Sequence, residues 1–315
     1  MKKILLFLCA IIFIFSPNLS FGQDPAKKEP EAAGEFFGAP VPMNNYYFAK
    51  GALVIFGNRW GAQPQTPQEL EGCVWNDLLL SYEAFRRNIE VSREEVGAEI
   101  TKMLKAEKVE FDWNKDKEAY TKWIKGKANE PVELFENQLK HLIQLQKLRQ
   151  QVMDGITPAV TEEEAYQEFL NEYNTLGIEL VQFDQLKSAE EFYNRAKKNP
   201  EFWDKEKNKR PKDFKRPGFV ALEFLMDMWK LPKDAVYKMM KMKAGDIYPP
   251  APIYKGYGVF KILELKAAEE LKYPQLKNSY YEQIKMKKKY EGLNEWIKNL
   301  KLQANIKVYL GEEKK

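Results

Sequence analysis

The sequence has few of the residues from which enzymes build reactive or metal-binding centres. Its 315 residues include one histidine and two cysteines. A metal site with two histidines is therefore excluded, and any Ser-His-Asp or Cys-His machinery would have to use His141. His141 lies between Leu139 and Leu142 on an apolar helical face, where a structural role is the favoured interpretation. There is also no glycine-rich phosphate loop, metal-ligand spacing or nucleophile elbow, so we expect no cofactor, no metal and no catalytic residue.

An excess of charge of one sign is also lacking. The chain has 50 Lys and Arg residues against 46 Asp and Glu residues, a formal net charge of +4. These charges are spread along the chain, which gives no reason to expect a nucleic-acid partner. The basic stretch Lys205 to Arg216 also contains Glu206 and Asp213. It is interpreted as a solvated loop in preference to a site for acidic partners or anionic lipid heads.

Long apolar runs are missing except near residue 1. Lys2 and Lys3 precede the apolar run from Ile4 to Phe15, and the exit Ser20-Phe21-Gly22 follows. This pattern is typical of a cleavable secretory signal peptide, residues 1–22. Retention as a membrane anchor is the less favoured alternative, because about 20 apolar residues are needed to span a bilayer. After cleavage we expect no stable membrane insertion.

Cysteine is scarce enough to bear on stability. Cleavage after Gly22 removes Cys9 and leaves Cys73 as the only thiol. An intramolecular disulfide is then impossible, and a hydrophobic core must hold the mature protein together. Cys73 lies in an apolar helical stretch, so we interpret it as a buried small hydrophobic residue.

The pattern along the chain predicts a mainly α protein with an α+β part. Residues 23–45 are rich in Pro, Ala, Gly and charge and are interpreted as a flexible leader. Residues 46–174 predict a helical domain, with a short strand at Leu53–Phe56 and then helices that open at capping boxes. These capping boxes begin at Thr66, Ser92 and Thr161. A shorter helix is predicted between Phe111 and Gly126, and Pro131 opens the longest helix.

The second part alternates strands and helices. Residues 175–268 predict a strand from Ile178 to Phe183, a helix capped by Ser188, a further helix near residues 233–242 and a strand from Gly258 to Leu265. Residues 269–315 predict a long helix from Leu276 to Leu300 and a last strand from Ile306 to Leu310.

This order of elements resembles the SurA-like periplasmic chaperones and the related parvulin-type peptidyl-prolyl isomerases. The helical part carries the resemblance in Val74-Trp75, Leu78 to Phe85, Ile89 to Val96, Ile100, Tyr120 to Ile124, Phe135-Glu136, Leu139 and Gln146 to Leu148. The end of the chain carries it in Trp296 to Leu300 and Ile306 to Val308. The resemblance implies that this C-terminal helix and strand fold back onto the N-terminal domain, whose first strand would be Leu53–Phe56.

The middle part is similar to a parvulin domain reduced to its frame. The matching segments are Gly218-Phe219, Gly245-Asp246-Ile247 with Pro249-Pro250, and Gly256 to Lys261. The resemblance implies two histidines on neighbouring strands, one near residues 179–182 and one at Gly258, and neither is present. It places the apolar pocket pair near Leu231 and Ala235. Rotation about an X-Pro peptide bond needs little chemical assistance. The missing histidines therefore make isomerase activity less expected but do not exclude it.

The resemblance implies an ATP-independent periplasmic chaperone that binds unfolded envelope proteins, among which outer-membrane proteins are possible clients. An active isomerase and a dedicated scaffold for one envelope partner stay open as alternatives. From the residues themselves, apolar density between Phe219 and Met242 predicts either ordinary core packing, the default, or an adaptable binding surface. The candidate client-binding residues are Phe219, Leu222, Phe224, Met226, Trp229, Leu231, Met240, Tyr257 and Phe260.

Overall fold

The computed structural model describes residues 32–61 and 64–310. The predicted signal peptide, residues 1–22, lies outside this range, as does the leader up to residue 31. The described part is mainly α-helical with two small antiparallel sheets, as the sequence predicted. It divides into two compact units. The first holds the described residues up to Gln146 together with those from Leu300, and the second holds Lys147–Asn299.

The first unit contains a three-stranded sheet that joins distant parts of the chain. A hairpin of β1 (Ala32–Phe36) and β2 (Ala39–Pro42) pairs through β1 with β7 (Lys307–Val308). The return of the C-terminal strand to the N-terminal unit is thus confirmed. Its partner, however, is β1, which lies inside the predicted flexible leader. The leader prediction was wrong from residue 32 onward.

The predicted strand Leu53–Phe56 is also wrong, because these residues end helix α1 (Met43–Phe56). Ala49, Ala52, Leu53 and Phe56 follow helical spacing and are all buried. A short apolar run fits a strand and a buried helix equally well by composition. The spacing of apolar residues over the whole of α1 favours the helix. The predicted leader ended at residue 45 and therefore divided this segment.

The remaining helices of the first unit agree with the sequence prediction. They are α2 (Pro67–Arg86), α3 (Arg93–Ala106), α4 (Lys117–Ala128) and α5 (Val132–Asp154), the last of which continues into the second unit. Ser92 and Glu95 form the predicted reciprocal capping box. The Thr66 side chain caps α2 as predicted. The other half of the predicted capping box differs, because the Glu69 carboxylate accepts from the backbone N–H of Gln65. His141 is buried, with its ring 5.5 Å from that of Phe48.

The second unit is built around a four-stranded sheet. Along the chain it contains α6 (Glu162–Tyr173), β3 (Thr175–Phe183), α7 (Leu186–Lys198), α8 (Pro200–Lys209), β4 (Phe214–Ala221), α9 (Leu222–Asp227), α10 (Lys233–Met239), β5 (Ile247–Pro252), β6 (Tyr257–Lys266) and most of α11 (Tyr273–Ala304). The strand order is β4-β3-β6-β5, with every pair antiparallel. A helix layer covers each face, so alternate residues of each central strand enter different cores.

The two cores can be read from β3 and β6. Leu176, Ile178 and Leu180 of β3 and Phe260 and Ile262 of β6 pack beneath α9 and α10. Val181 and Val259 face the other way and pack beneath α7 and α8. We call these the α9/α10 face and the α7/α8 face of the sheet.

Two predictions for the α7/α8 layer were wrong. Helix α7 begins at Leu186, with Gln185 as its N-cap residue, three residues before the predicted cap at Ser188. Helix α8 occupies part of the segment predicted to be a solvated loop. Its N terminus has strong local signals, since the Asn199 side chain accepts from the Glu201 N–H and Pro200 stands at the first helical position. Its apolar pattern is weak, because Trp203 is its buried residue.

Helix α11 packs mainly within the second unit, contrary to the expected packing on the N-terminal domain. Its Tyr273, Tyr280 and Ile284 form one core cluster with Ala165 and Phe169 of α6. The boundary predicted between residues 174 and 175 does not match the division into units, since α6 belongs with the sheet. Among the described residues, no helix is both long and apolar enough to cross a bilayer.

Candidate functional site

The largest group of exposed apolar side chains on the α9/α10 face lies around the C-terminal end of α9. Phe224, Met228 and Tyr254 are 42%, 61% and 72% exposed, and Trp229 is half-buried. The rings of Phe224 and Trp229 meet edge to face with their centroids 6.3 Å apart. We call Phe224, Met228, Trp229 and Tyr254 the aromatic platform. Aromatic and Met side chains adapt to varied apolar ligands, so the platform has the chemistry of a peptide-binding surface.

A buried ring supports the platform from below. Trp229 stacks on Phe260, with centroids 6.2 Å apart and an angle of 28° between the ring planes. Phe260 is fully buried in the α9/α10 core. The indole is therefore held by the sheet itself, and the platform is anchored to a rigid element.

Backbone hydrogen bonds bring Tyr254 to this place from the turn between β5 and β6. The Tyr254 N–H donates to the carbonyl of Trp229 at 2.9 Å. The turn is closed by the Ile253 N–H, which donates to the Gly256 carbonyl at 3.0 Å. Gly256 has φ +82°, and a Cβ there would lie 2.2 Å from the carbonyl oxygen of Phe183. Only glycine fits this position, which fixes the path of the turn.

The structure divides the sequence-predicted binding residues into three groups. Phe224 and Trp229 belong to the platform. Met226 and Met240 are half-buried against the α9/α10 core. Leu222, Leu231 and Phe260 are 1%, 3% and 0% exposed, so they are core residues that support the surface and do not reach a client in this conformation.

Phe219 and Tyr257 lie away from the platform, on the α7/α8 face. Phe219 pairs across strands with Gly177, which alternates with the α9/α10-facing Leu176 and Ile178. Opposite residues share a face of the sheet. The Phe219 ring, 44% exposed, has the Lys266 Nζ 3.6 Å from its centroid. Tyr257 packs against the α7/α8 core.

Two platform residues, Met228 and Tyr254, were not among the predicted binding residues. Met228 lies within the apolar series from Phe219 to Trp229 that suggested a binding surface, so its signal was present. Tyr254 had no such signal, since it stands alone between prolines and Lys255-Gly256. Only the hydrogen bond to Trp229 reveals that it belongs to the group.

The position at which the resemblance placed a histidine is filled by a neighbour. Gly258 is buried on β6, and a Cβ there would lie 2.7 Å and 2.8 Å from ring atoms of Phe260 and 2.9 Å from Leu180 Cδ1. Real Cβ atoms do not approach other atoms so closely, so a histidine would displace the ring that supports Trp229. In this conformation the aromatic support and an imidazole at residue 258 exclude one another.

The other histidine was expected near residues 179–182, and the side chains described there make different contacts. Glu179 is 3% exposed on the α7/α8 face, where its carboxylate accepts from the Trp203 indole at 2.5 Å and pairs with Lys207. Gln182, opposite Gly258, donates to the carbonyl of Lys255. Leu231 and Ala235, where the resemblance placed the apolar pocket pair, are 3% and 4% exposed, so both side chains are buried.

Comparison with known proteins gives similarity only at the level of solved structures. No family model matches the chain, and no curated protein matches it. A structure reported for the related SurA-like chaperones PEB4 and Cj1289 of Campylobacter jejuni is similar at 16% identity and TM-score 0.41, over 89% of this chain and 100% of that one. The peptidylprolyl isomerase PrsA of Bacillus anthracis is similar at 16% identity and TM-score 0.42, over 73% of this chain and 97% of that one.

PrsA of Bacillus cereus is similar too, at 16% identity and TM-score 0.35, over 89% of this chain and 95% of that one. The resemblance to SurA-like chaperones and parvulin-type isomerases predicted from the sequence is therefore found again among solved structures. Similarity at this level does not transfer an activity, so function must be inferred from the residues of this chain.

Proposed function

We propose that the protein is an ATP-independent chaperone that holds unfolded or partly folded envelope proteins by their apolar and aromatic segments. The observation that carries this proposal is the aromatic platform, whose exposed rings and thioether rest on the buried ring of Phe260. An exposed apolar group on a rigid base offers binding area at little entropic cost. The parvulin-like part, residues 175–268, then acts as a binding module.

The test is suppression of aggregation of an unfolded outer-membrane protein diluted from urea. We expect the mature chain to suppress light scattering at stoichiometric amounts, and the triple variant Phe224→Ser/Met228→Ser/Tyr254→Ser to lose most of this effect. The matched control is Leu186→Ser/Leu271→Ser/Tyr290→Ser, which removes exposed apolar side chains elsewhere in the same unit. No suppression by the unmodified chain at several-fold excess would contradict the proposal.

We further propose that the parvulin-like part does not catalyse prolyl isomerisation, because Phe260 occupies the space that a side chain at Gly258 would need. Uncatalysed X-Pro isomerisation takes tens to hundreds of seconds. Exchange NMR on a short X-Pro peptide measures this rate directly. We expect no acceleration at high protein concentration, and a faster exchange between the cis and trans peaks would instead favour an active isomerase.

Periplasmic location and a range of clients complete the proposal. The predicted signal peptide, residues 1–22, supports export. Affinity capture from periplasmic extract should give a mixture of envelope proteins, with outer-membrane proteins among them. A single stoichiometric partner would favour a dedicated scaffold instead.

A further inference from the structure

The edge strand beside the aromatic platform lacks backbone donors that an added strand would need. Strand β5, at one end of the four-stranded sheet, contains Pro249, Pro250 and Pro252 among its six residues and leads into the turn that carries Tyr254. Proline has no backbone N–H. An extended segment can join a sheet only by pairing with unused N–H and C=O groups along such an edge.

The register of β5 against β6 turns one of these prolines toward the free edge. The Ile253 N–H donates to the Gly256 carbonyl, so residues 253 and 256 form a hydrogen-bonded pair. Hydrogen-bonded and non-hydrogen-bonded pairs alternate along an antiparallel ladder, so the next pair, Pro252 and Tyr257, directs its backbone groups away from the partner strand. A backbone N–H at residue 252 would therefore point away from β6, and proline removes it.

The other two prolines of β5 interrupt the ladder itself. The register shifts between Tyr248 and Ala251, so Pro249 and Pro250 stand opposite a single residue of β6. Such a bulge bends an edge strand and breaks the regular spacing of its hydrogen-bonding groups. Neither of the two bulge residues can donate a backbone hydrogen bond.

The other three edge strands of the described sheets carry similar interruptions. Strand β4, at the opposite end of the four-stranded sheet, has a bulge that contains Arg216 and Pro217, followed by Gly218 with φ +87°. In the first unit, the edge strand β2 contains Pro40 and Pro42, and β7 is two residues long. Prolines, bulges and very short strands are means by which native sheets avoid pairing with other chains. All four of these edges are therefore poor partners for an added strand.

We infer that the protein recognises client segments through their side chains alone, and that the prolines of β5 keep a bound segment from joining the sheet as an added strand. This inference rests on the proposed function, and it names what the aromatic platform recognises in a client: apolar and aromatic side chains, without a contribution from backbone N–H groups. Main-chain pairing would hold any extended segment, whereas contact with the platform holds only segments that carry suitable side chains.

Backbone N-methylation tests this inference, because it removes N–H groups and keeps every side chain. Three fluorescein-labelled decapeptides share one sequence, a Phe-Trp centre with serine flanks: one is unmodified, one is N-methylated at the even-numbered amides and one at the odd-numbered amides. Successive amides of an extended segment point to opposite edges, so each pattern blocks one edge. Fluorescence anisotropy with the mature chain should give Kd values within about threefold of one another. A Kd raised about tenfold or more by either pattern overturns the inference.

The variant Pro249→Thr/Pro252→Thr restores two backbone N–H groups at exposed positions of β5. We expect it to bind the unmodified peptide about fivefold more tightly, and to lose this gain with one of the two N-methylated peptides. The matched control, Pro200→Thr/Pro274→Thr, replaces two exposed prolines near the starts of α8 and α11 and should bind like the unmodified chain. If the β5 variant binds all three peptides alike, the prolines are not what prevents pairing and the inference is overturned.

The remaining outcomes separate this inference from the proposed function. If the unmodified chain suppresses aggregation and binds the unmodified peptide but not an N-methylated one, clients are bound by strand addition and the inference alone fails. If none of the peptides binds, and aggregation is not suppressed either, both fail.

Discussion

The two faces of the four-stranded sheet are covered to different extents. The α7/α8 face lies beneath helices of 13 and 10 residues and encloses the buried carboxylate of Glu179, which is paired with Trp203 and Lys207. The α9/α10 face lies beneath helices of 6 and 7 residues, which bury the strands but leave Phe224 and Met228 in solvent. One face of the sheet thus encloses a core, and the other carries the exposed side chains that we propose bind clients.

The largest effect on stability should come from the α7/α8 face, where the longer helices enclose the core. Trp203→Ala removes a fully buried indole and leaves Glu179 without its indole donor. We expect the free energy of unfolding to fall by about 3–5 kcal/mol, measured by urea denaturation. Peptide affinity of the molecules that remain folded should be unchanged.

A control for Trp203→Ala is Trp203→Phe, which keeps most of the apolar volume and loses only the hydrogen bond. Its cost should be smaller. If Trp203→Ala weakened peptide binding in fully folded protein, the two faces would not be independent.

An intermediate loss of stability is expected from a substitution beneath the aromatic platform. Gly258→His forces a side chain against Phe260 and Leu180, and overpacking of this kind costs about 1–3 kcal/mol. We expect lower stability by urea denaturation, weaker client binding because Trp229 loses its support, and no isomerase activity.

The companion variant for Gly258→His is Phe260→Ala, which opens the space the imidazole needs. In that background Gly258→His should cost less than it does alone, because neighbouring substitutions are not additive. Equal costs in the two backgrounds would show that Phe260 is not what excludes a side chain at residue 258.

The smallest effect on stability is expected from Glu223, a charged residue of α9. Burial, together with Glu168 and Asp227, raises the pKa of Glu223 above its usual value. The native state therefore holds this proton more tightly than the unfolded state, and the ionised carboxylate reduces stability at pH 7. Glu223→Gln should raise the midpoint of urea unfolding slightly at pH 7.

This gain should shrink as the pH falls through the raised pKa, because Glu223 is then protonated in the unmodified protein. Urea titrations at pH 7 and at about pH 4 measure the difference. A gain that is the same at both pH values would point to a cause other than ionisation of Glu223.

Helices with strong caps and regular apolar spacing could be predicted from the sequence. Surfaces that depend on which residues of neighbouring strands pair with each other could not. Ser92 and Thr161 cap their helices as expected, because a capping box is a local signal. The separation of Phe219 and Tyr257 from the other candidate residues, on the opposite face of the sheet, depends on strand register. Side chains of a strand alternate, and β3 carries irregularities near Ile178 in its pairing with both neighbours. Each irregularity changes which residues share a face, and no local pattern shows where it falls.

The residues of the candidate site divide in the same way, into those with a local sequence signal and those without one. Phe224 and Trp229 were predictable from the density of apolar residues around α9, whereas Tyr254 depends on one backbone hydrogen bond between segments 25 positions apart in the numbering. The hairpin at β1 and β2 escaped prediction because its turn is Phe37-Gly38, with φ +52° and +73°. Such turns usually carry Asn-Gly, so the usual signal was missing.

The pairing of β1 with β7 constrains the order in which the chain can fold. Glu35 and Lys307, joined by an ion pair across these strands, are 272 positions apart. Because synthesis proceeds from the N terminus, one edge of β1 stays unpaired until β7 has been made, whereas the second unit, residues 147–299, is complete earlier. An unpaired edge strand is a template for wrong partners. A chain that we propose protects others from aggregation is thus itself exposed to aggregation until β7 pairs with β1.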